Sequence, residues 1–144
     1  MSGIRIRRNF DLPREIPEAL SLVPFNVIGL RAIQTIQDKT KSGVDFQNHP
    51  FQPYSDFYKE IREQKGLRTD RVDLIVTNNM LSGMTANSDE SGVVIGFLDG
   101  EQSNKAFSHV TGKGSLPNRD FFFIDDDDVD EILEIAMNFV DKAL

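Results

Sequence analysis

The 144-residue chain contains no cysteine. That absence removes disulfides, thiolate nucleophiles and every cysteine-based metal site. Long hydrophobic runs are missing too: nothing approaches the roughly 20 apolar residues that cross a bilayer, and residues 1–14 hold no apolar signal core. The expectation is a protein made and used in the cytosol of its producer, with no membrane partner. Histidine is scarce, only His49 and His109, so a Ser-His-Asp arrangement would have to use one of them. No G-x-S-x-G elbow supplies the nucleophile. Positive charge is also in deficit. A formal net charge of -7 argues against a protein that coats nucleic acid by neutralising phosphates.

What is present suits one globular domain: 39% hydrophobic and 27% charged residues in a chain long enough for a single core. The charge is polarised along the chain. Residues 1–14 carry Arg5, Arg7, Arg8 and Arg14 against Asp11. Residues 125–144 carry Asp125, Asp126, Asp127, Asp128, Asp130, Glu131, Glu134 and Asp141 against Lys142 alone. A chain basic at one end and acidic at the other can pair its own ends, or copies of itself head to tail. Taken by itself the arginine-rich start reads as a solvated terminus.

Four consecutive aspartates raise the question of a divalent cation, which wants several carboxylates around one point. The run lacks the glycine that an EF-hand loop needs at its sixth position. Just before an apolar-periodic segment it serves better as a helix start, where carboxylates accept from exposed amides and complement the dipole, with the remainder solvated. No metal and no cofactor is expected. Gly112, Lys113, Gly114 and Ser115 have the composition of a phosphate loop but not the G-x-x-x-x-G-K-[ST] spacing, and read as a turn. Nothing in the chain assembles into an active site, and no catalytic residue is assigned.

The element pattern is α+β. Apolar residues at Phe25, Ile28, Ala32, Ile33 and Ile36 recur every three or four positions and predict a long helix over 25–41, closed by Lys39, Lys41 and Gly43. Residues 15–23 hold a short helix before Pro24. Prolines at 50 and 53 mark 44–54 as a loop, and Ser55 or Asp56 caps a short helix to about Gln64, stopped by Gly66. Strands are expected at 72–77, 93–98 and 121–124, with 78–86 ambiguous, a hairpin turn at 87–92 and a helix over 101–110 ended by Gly112. Val129, Ile132, Leu133, Ala136, Phe139 and Val140 form the stripe of a C-terminal helix. The expected architecture is a small antiparallel or mixed sheet packed by the long N-terminal helix and the C-terminal helix. One domain spans 15–144, preceded by an extended basic arm, 1–14, with a short strand around Ile4 and Ile6.

Several anchors then fall in a telling order: Gly43-Val44-Asp45 after the long helix; Pro50-Phe51-Gln52-Pro53; Ala106-x-x-His109-x-x-Gly112; Leu116-Pro117-x-Arg119-x-Phe121-Phe122; a closing acidic helix. Over residues 25–144 this resembles the virion morphogenesis and tail completion proteins of tailed bacteriophages, with Phe51 where that family usually has tryptophan and Asp120 where it usually has proline. The resemblance implies a structural protein without catalysis, forming a ring, commonly sixfold, at the head–tail junction of the virion and made in the bacterial host cytoplasm. Its implied partners are copies of itself, the tail tube protein and the connector or stopper proteins, with DNA only passing through the channel. Positions Gly43, Asp45, Pro50, Phe51, Pro53, His109, Gly112, Pro117, Arg119 and Phe121 match the family pattern and are read as structural. His109 is expected to bond a turn carbonyl, and Arg119 to fork onto a carboxylate such as one of the aspartate run. The rival role for Arg119 is to face the DNA channel.

Two further expectations concern contacts between subunits. Arg5, Arg7, Arg8 and Phe10 are expected to leave the domain body for a neighbour, since Ile4, Ile6, Phe10 and Leu12 alternate as in strand addition. Asp125, Asp126, Asp127 and Asp128 offer the complementary charge, and head-to-tail contacts of this kind close into a ring when the rotation permits. The competing reading is a cytosolic adaptor that binds a partner through its acidic C-terminal helix.

Overall fold

The computed structural model describes residues 4–7, 24–89, 92–114 and 116–143. The long helix, α1, covers Phe25–Lys41, and the whole stripe of Phe25, Ile28, Ala32, Ile33 and Ile36 is buried. It ends in a double turn-back. The Gly43 amide donates to Thr40 O and the Val44 amide to Lys39 O, 3.0 and 3.1 Å, with Gly43 at φ +84° supplying the left-handed residue such an ending needs.

The remaining elements are β1 (Ile4–Arg7), α2 (Asp56–Gln64), α3 (Asn79–Ser82), β2 (Met84–Asp89), β3 (Gly92–Phe97), α4 (Gly100–Thr111) and α5 (Asp126–Ala143). The fold is therefore mixed α+β. The strands form one antiparallel sheet in the order β1-β3-β2. Along β3 the side chains of Val93 and Ile95 are buried, and Phe97 continues that face with its ring 4.8 Å from Phe122. This is the two-residue period of a strand with one face on the core. Helix α1 lies across β2 and β3 and also packs on α5. The helix comes very close to the sheet at Gly29, where a Cβ would sit 2.7 Å from Ala86 Cβ and 2.8 Å from Val93 Cγ2.

Several expectations are corrected. Residues 72–77 are not a strand, because side chains take their backbone groups: the Leu74 amide donates to Tyr54 Oη (3.2 Å), the Ile75 amide to Asp73 Oδ1 (2.9 Å), and Ile75 O accepts from Arg62 Nη1 (2.9 Å). With donors and acceptors used this way no ladder forms. Residues 121–124 are irregular instead of a strand: Phe121 and Phe122 fill the core at about 1% exposed, Phe123 is 41% exposed, and the Phe121 amide turns back onto Arg119 O. The segment 78–86 divides into α3 and the start of β2. The hairpin ladder runs to the pair Asp89↔Gly92, so Asn87, Ser88, Asp89 and Gly92, expected in the turn, are strand residues; positions 90 and 91 lie outside the described residues.

The strand expected around Ile4 and Ile6 forms, but against its own chain. Ile4 pairs with Ile95 and Arg7 with Gly92, so the backbone of Arg5 and Arg7 belongs to the sheet of this domain. The backbone edge of β3 that would accept a foreign strand is already occupied. Arg8, Phe10 and the helix expected over 15–23 lie outside the described residues.

Candidate functional site

A cleft of about 450 Å³ opens between the 52–55 loop with α2, the 74–76 segment, the end of α4 and the 116–119 loop. The α2 side is built from the sequence upward. Ser55 Oγ accepts from the Tyr58 amide at 3.2 Å and starts the helix. Tyr58 and Arg62, four apart, share one line of the helix surface, and Tyr54, just before the cap, sets its ring edge-on to Tyr58 with centroids 5.1 Å apart. Arg62 is 1% exposed and spends its donors inside: Nε to Arg68 O (2.7 Å), Nη1 to Ile75 O (2.9 Å), Nη2 to Asp73 Oδ1 (3.1 Å). Its Cζ lies 4.6 Å from the Tyr54 ring centroid, within cation–π range. Burial raises the pKa of the Tyr54 phenol, with the Arg62 charge pulling the other way.

Arg119, 3% exposed, flanks the same ring with its Cζ 5.1 Å from the centroid. The expected fork onto the aspartate run is not made. Nε and Nη2 both donate to the carbonyl of Gln52, at 3.2 and 2.9 Å, and the Arg119 amide donates to His109 O at 2.7 Å. The second contact has a local cause. The Gly112 and Lys113 amides both return to Ser108 O, which leaves the His109 carbonyl open at the helix end. Gly112, at φ +68°, also lets the 116–118 segment approach: a Cβ there would stand 3.0 Å from Asn118 N and Leu116 O.

The bond expected from the His109 ring is likewise absent. Its Nδ1 is buried without a hydrogen-bond partner among the described residues, while its backbone carbonyl accepts from the Arg119 amide. Burial lowers the imidazole pKa, and the charge of Arg119 lowers it further. The rest of the resemblance positions close a loop under the cleft. Asp45 Oδ1 accepts from the Gln47 and His49 amides, 2.9 Å each, Val44 bridges to Pro50, and the Phe51 amide donates to Gly43 O at 3.0 Å. Phe51 and Phe121 are buried in the core, whereas Gln52, Pro53, His109, Pro117 and Arg119 line the cleft.

The four aspartates divide by direction. Asp125 Oδ1 accepts from the Asp128 amide (2.8 Å) and Asp128 Oδ2 from the Asp125 amide (3.2 Å), a reciprocal capping box at the start of α5. Lys39 Nζ, from the last turn of α1, lies between the two carboxylates, 2.6 Å from Asp128 Oδ2 and 3.2 Å from Asp125 Oδ2, and also donates to Phe46 O at 2.9 Å. An ammonium therefore occupies the point where these two carboxylates converge. Burial opposes the Lys39 charge, but bonds and charges from Asp128 and Asp125 outweigh it and raise the lysine pKa. The Asp128 amide holds Asp125 below its usual range against a smaller opposing effect of burial, with Lys39 assisting. Asp126 and Asp127 point to solvent.

No protein family, curated protein or solved structure matches the chain. No helix among the described residues is long and apolar enough to cross a membrane.

Sequence reasoning missed Tyr54, Arg62 and Asp73. The four-residue spacing of Tyr58 and Arg62 on the helix, with Tyr54 just before its cap, was a usable signal, since an arginine beside aromatics suits stacking. Asp73, inside an otherwise β-rich run, marked the place where strand character fails.

Proposed function

We propose that this chain is a structural virion protein of a tailed bacteriophage, a tail completion or neck subunit that assembles into a ring at the head–tail junction and joins tail to head. One observation carries the reading. The two segments that bear the resemblance, 50–53 and 109–119, lie far apart in the chain and meet through the Arg119–Gln52 bonds, while the Arg119–His109 bond ties the second segment to itself. That contact gives the shared pattern a physical reason: it fixes one loop against another and forms the wall of a cleft. Four of the five hydrogen bonds that the cleft arginines make go to main-chain carbonyls, which suits a rigid docking surface better than a site that must exchange protons. In this reading the subunit meets copies of itself, the tail tube protein and the connector or stopper proteins. A net charge of -7 is compatible with lining a passage through which DNA slides, because strong basic contacts would hold the phosphates back.

Deletion of the gene from the phage genome tests it. The expected lysate contains filled heads and separate tails, joined again when the protein is supplied, and purified virions contain the protein at the neck. Its absence from virions would overturn the reading. The exposed acidic face of α5 supports the second reading, a cytosolic adaptor, and a one-to-one complex with a basic host protein in place of virion incorporation would establish that alternative.

A further inference from the structure

The cleft carries an unbalanced charge. Two buried guanidiniums, Arg62 and Arg119, flank Tyr54, and among the described residues one carboxylate, Asp73, pairs with them, held by Arg62. Arg119 makes no ion pair among the described residues. Its Nε and Nη2 are bonded to a neutral carbonyl, and Nη1 makes no hydrogen bond there. Burial works against its charge, and no carboxylate among the described residues pairs with it to offset that penalty. The cleft thus lacks one anionic group, and its tyrosine, leucine and proline walls suit the apolar part of a peptide better than a bare ion.

The opposite imbalance sits on α5. Asp126, Asp127, Asp130, Glu131 and Glu134 are exposed and form no ion pair among the described residues, while their neighbours Asp125 and Asp128 are taken by Lys39. We infer that the Tyr54–Arg119 cleft receives the Asp126–Asp127 turn of a second copy of this chain, with one carboxylate forking onto the free N–H groups of Arg119. Patch and pocket are different surfaces of one molecule, so the contact is head-to-tail, the type that closes into rings. The inference rests on the ring reading above and names the contact that would build it.

The chain carries its own reporter. Tyr54 and Tyr58 are its two tyrosines, and it has no tryptophan, so intrinsic fluorescence arises in this cleft. The experiment titrates full-length protein with a synthetic peptide spanning residues 124–130, and with the same peptide carrying Asp126→Asn and Asp127→Asn. The expected result is a saturable change in tyrosine emission. It weakens about tenfold with the Asn peptide, as loss of a charge-assisted bond requires, and it weakens again in about 0.5 M salt. Equal binding of both peptides overturns the inference, as does no change at millimolar peptide. The same change produced by free glutamate or inorganic phosphate at equal concentration also overturns it, marking a small-anion site. Arg119→Gln, provided its circular dichroism matches wild type, should abolish the response. Absence of the protein from virions would remove the ring reading without touching this binding result, so the two failures are distinguishable.

Discussion

Arg119 reaches back 67 positions along the chain and gives both Nε and Nη2 to the carbonyl of Gln52, at 3.2 and 2.9 Å. A planar fork is needed for that double contact, and its face is also what stacks over Tyr54. Arg119→Lys keeps the charge and loses both. Two charge-assisted bonds to one acceptor, partly replaced by a single ammonium bond, give an expected loss of about 2 kcal/mol, or roughly 5 °C in Tm. Thermal unfolding followed by circular dichroism measures it. An unchanged Tm would mean that the fork does not hold the 52–55 loop.

Lys39 ties the end of α1 to the start of α5. Lys39→Met leaves Asp125 and Asp128 facing each other without their cation, and the expected destabilisation is about 2–3 kcal/mol by urea unfolding. Asp128→Asn should cost less, because the amide still accepts from the Asp125 backbone and from the lysine. If the two variants lose equal stability, the interaction is not governed by charge.

Gly29→Ala sets two effects against each other. Helix propensity favours alanine by roughly 1 kcal/mol. The new methyl would meet Ala86 and Val93 at 2.7 and 2.8 Å, and neither neighbour is the far end of a flexible chain. Overpacking of this kind costs about 1–3 kcal/mol, so the net expectation is a loss of about 1 kcal/mol in urea unfolding. Pairing the change with Ala86→Gly should restore part of it.

His109 gives stability a pH dependence whose sign follows from its environment. Its folded pKa lies below the ordinary 6.5, so the native state resists protonation while the unfolded chain accepts it. The contribution is complete above about pH 6.5 and is lost as pH falls through the folded pKa. His109→Gln should flatten the slope of the urea midpoint across that window. Asp125, held below 3.8, contributes stability present above that value and lost only in stronger acid, so the two effects separate along the pH axis. A His109→Gln variant with the wild-type slope would exclude the histidine as its source.

The helices were the legible part of this fold. Phe25, Ile28, Ala32, Ile33 and Ile36 announce α1 because a 3.6-residue period has one stable use in a globular chain, and the endings at Gly43 and Gly112 follow from their left-handed backbone. Strands were legible only where a ladder forms. The segment over 72–77 has strand composition, yet Tyr54, Arg62 and Asp73 satisfy its backbone, and Leu74 takes φ +58°, which excludes it from a strand. Asp73 is the one local mark against a strand there, and the other deciding groups, on Tyr54 and Arg62, sit elsewhere in the chain. The same holds at the cleft. The resemblance marked His109 and Arg119 but could not indicate that the acceptor for Arg119 would be a carbonyl, because main-chain acceptors leave no trace in residue identity.

The reciprocal amide bonds of Asp125 and Asp128 split an apparently uniform tetrad into two independent halves. The outer members anchor where the terminal helix begins, while the middle two are left to whatever meets the surface. Polarity at 126 and 127 can therefore be altered or even reversed without unpicking the helix start, so the charge this corner presents can drift while the domain's architecture stays put.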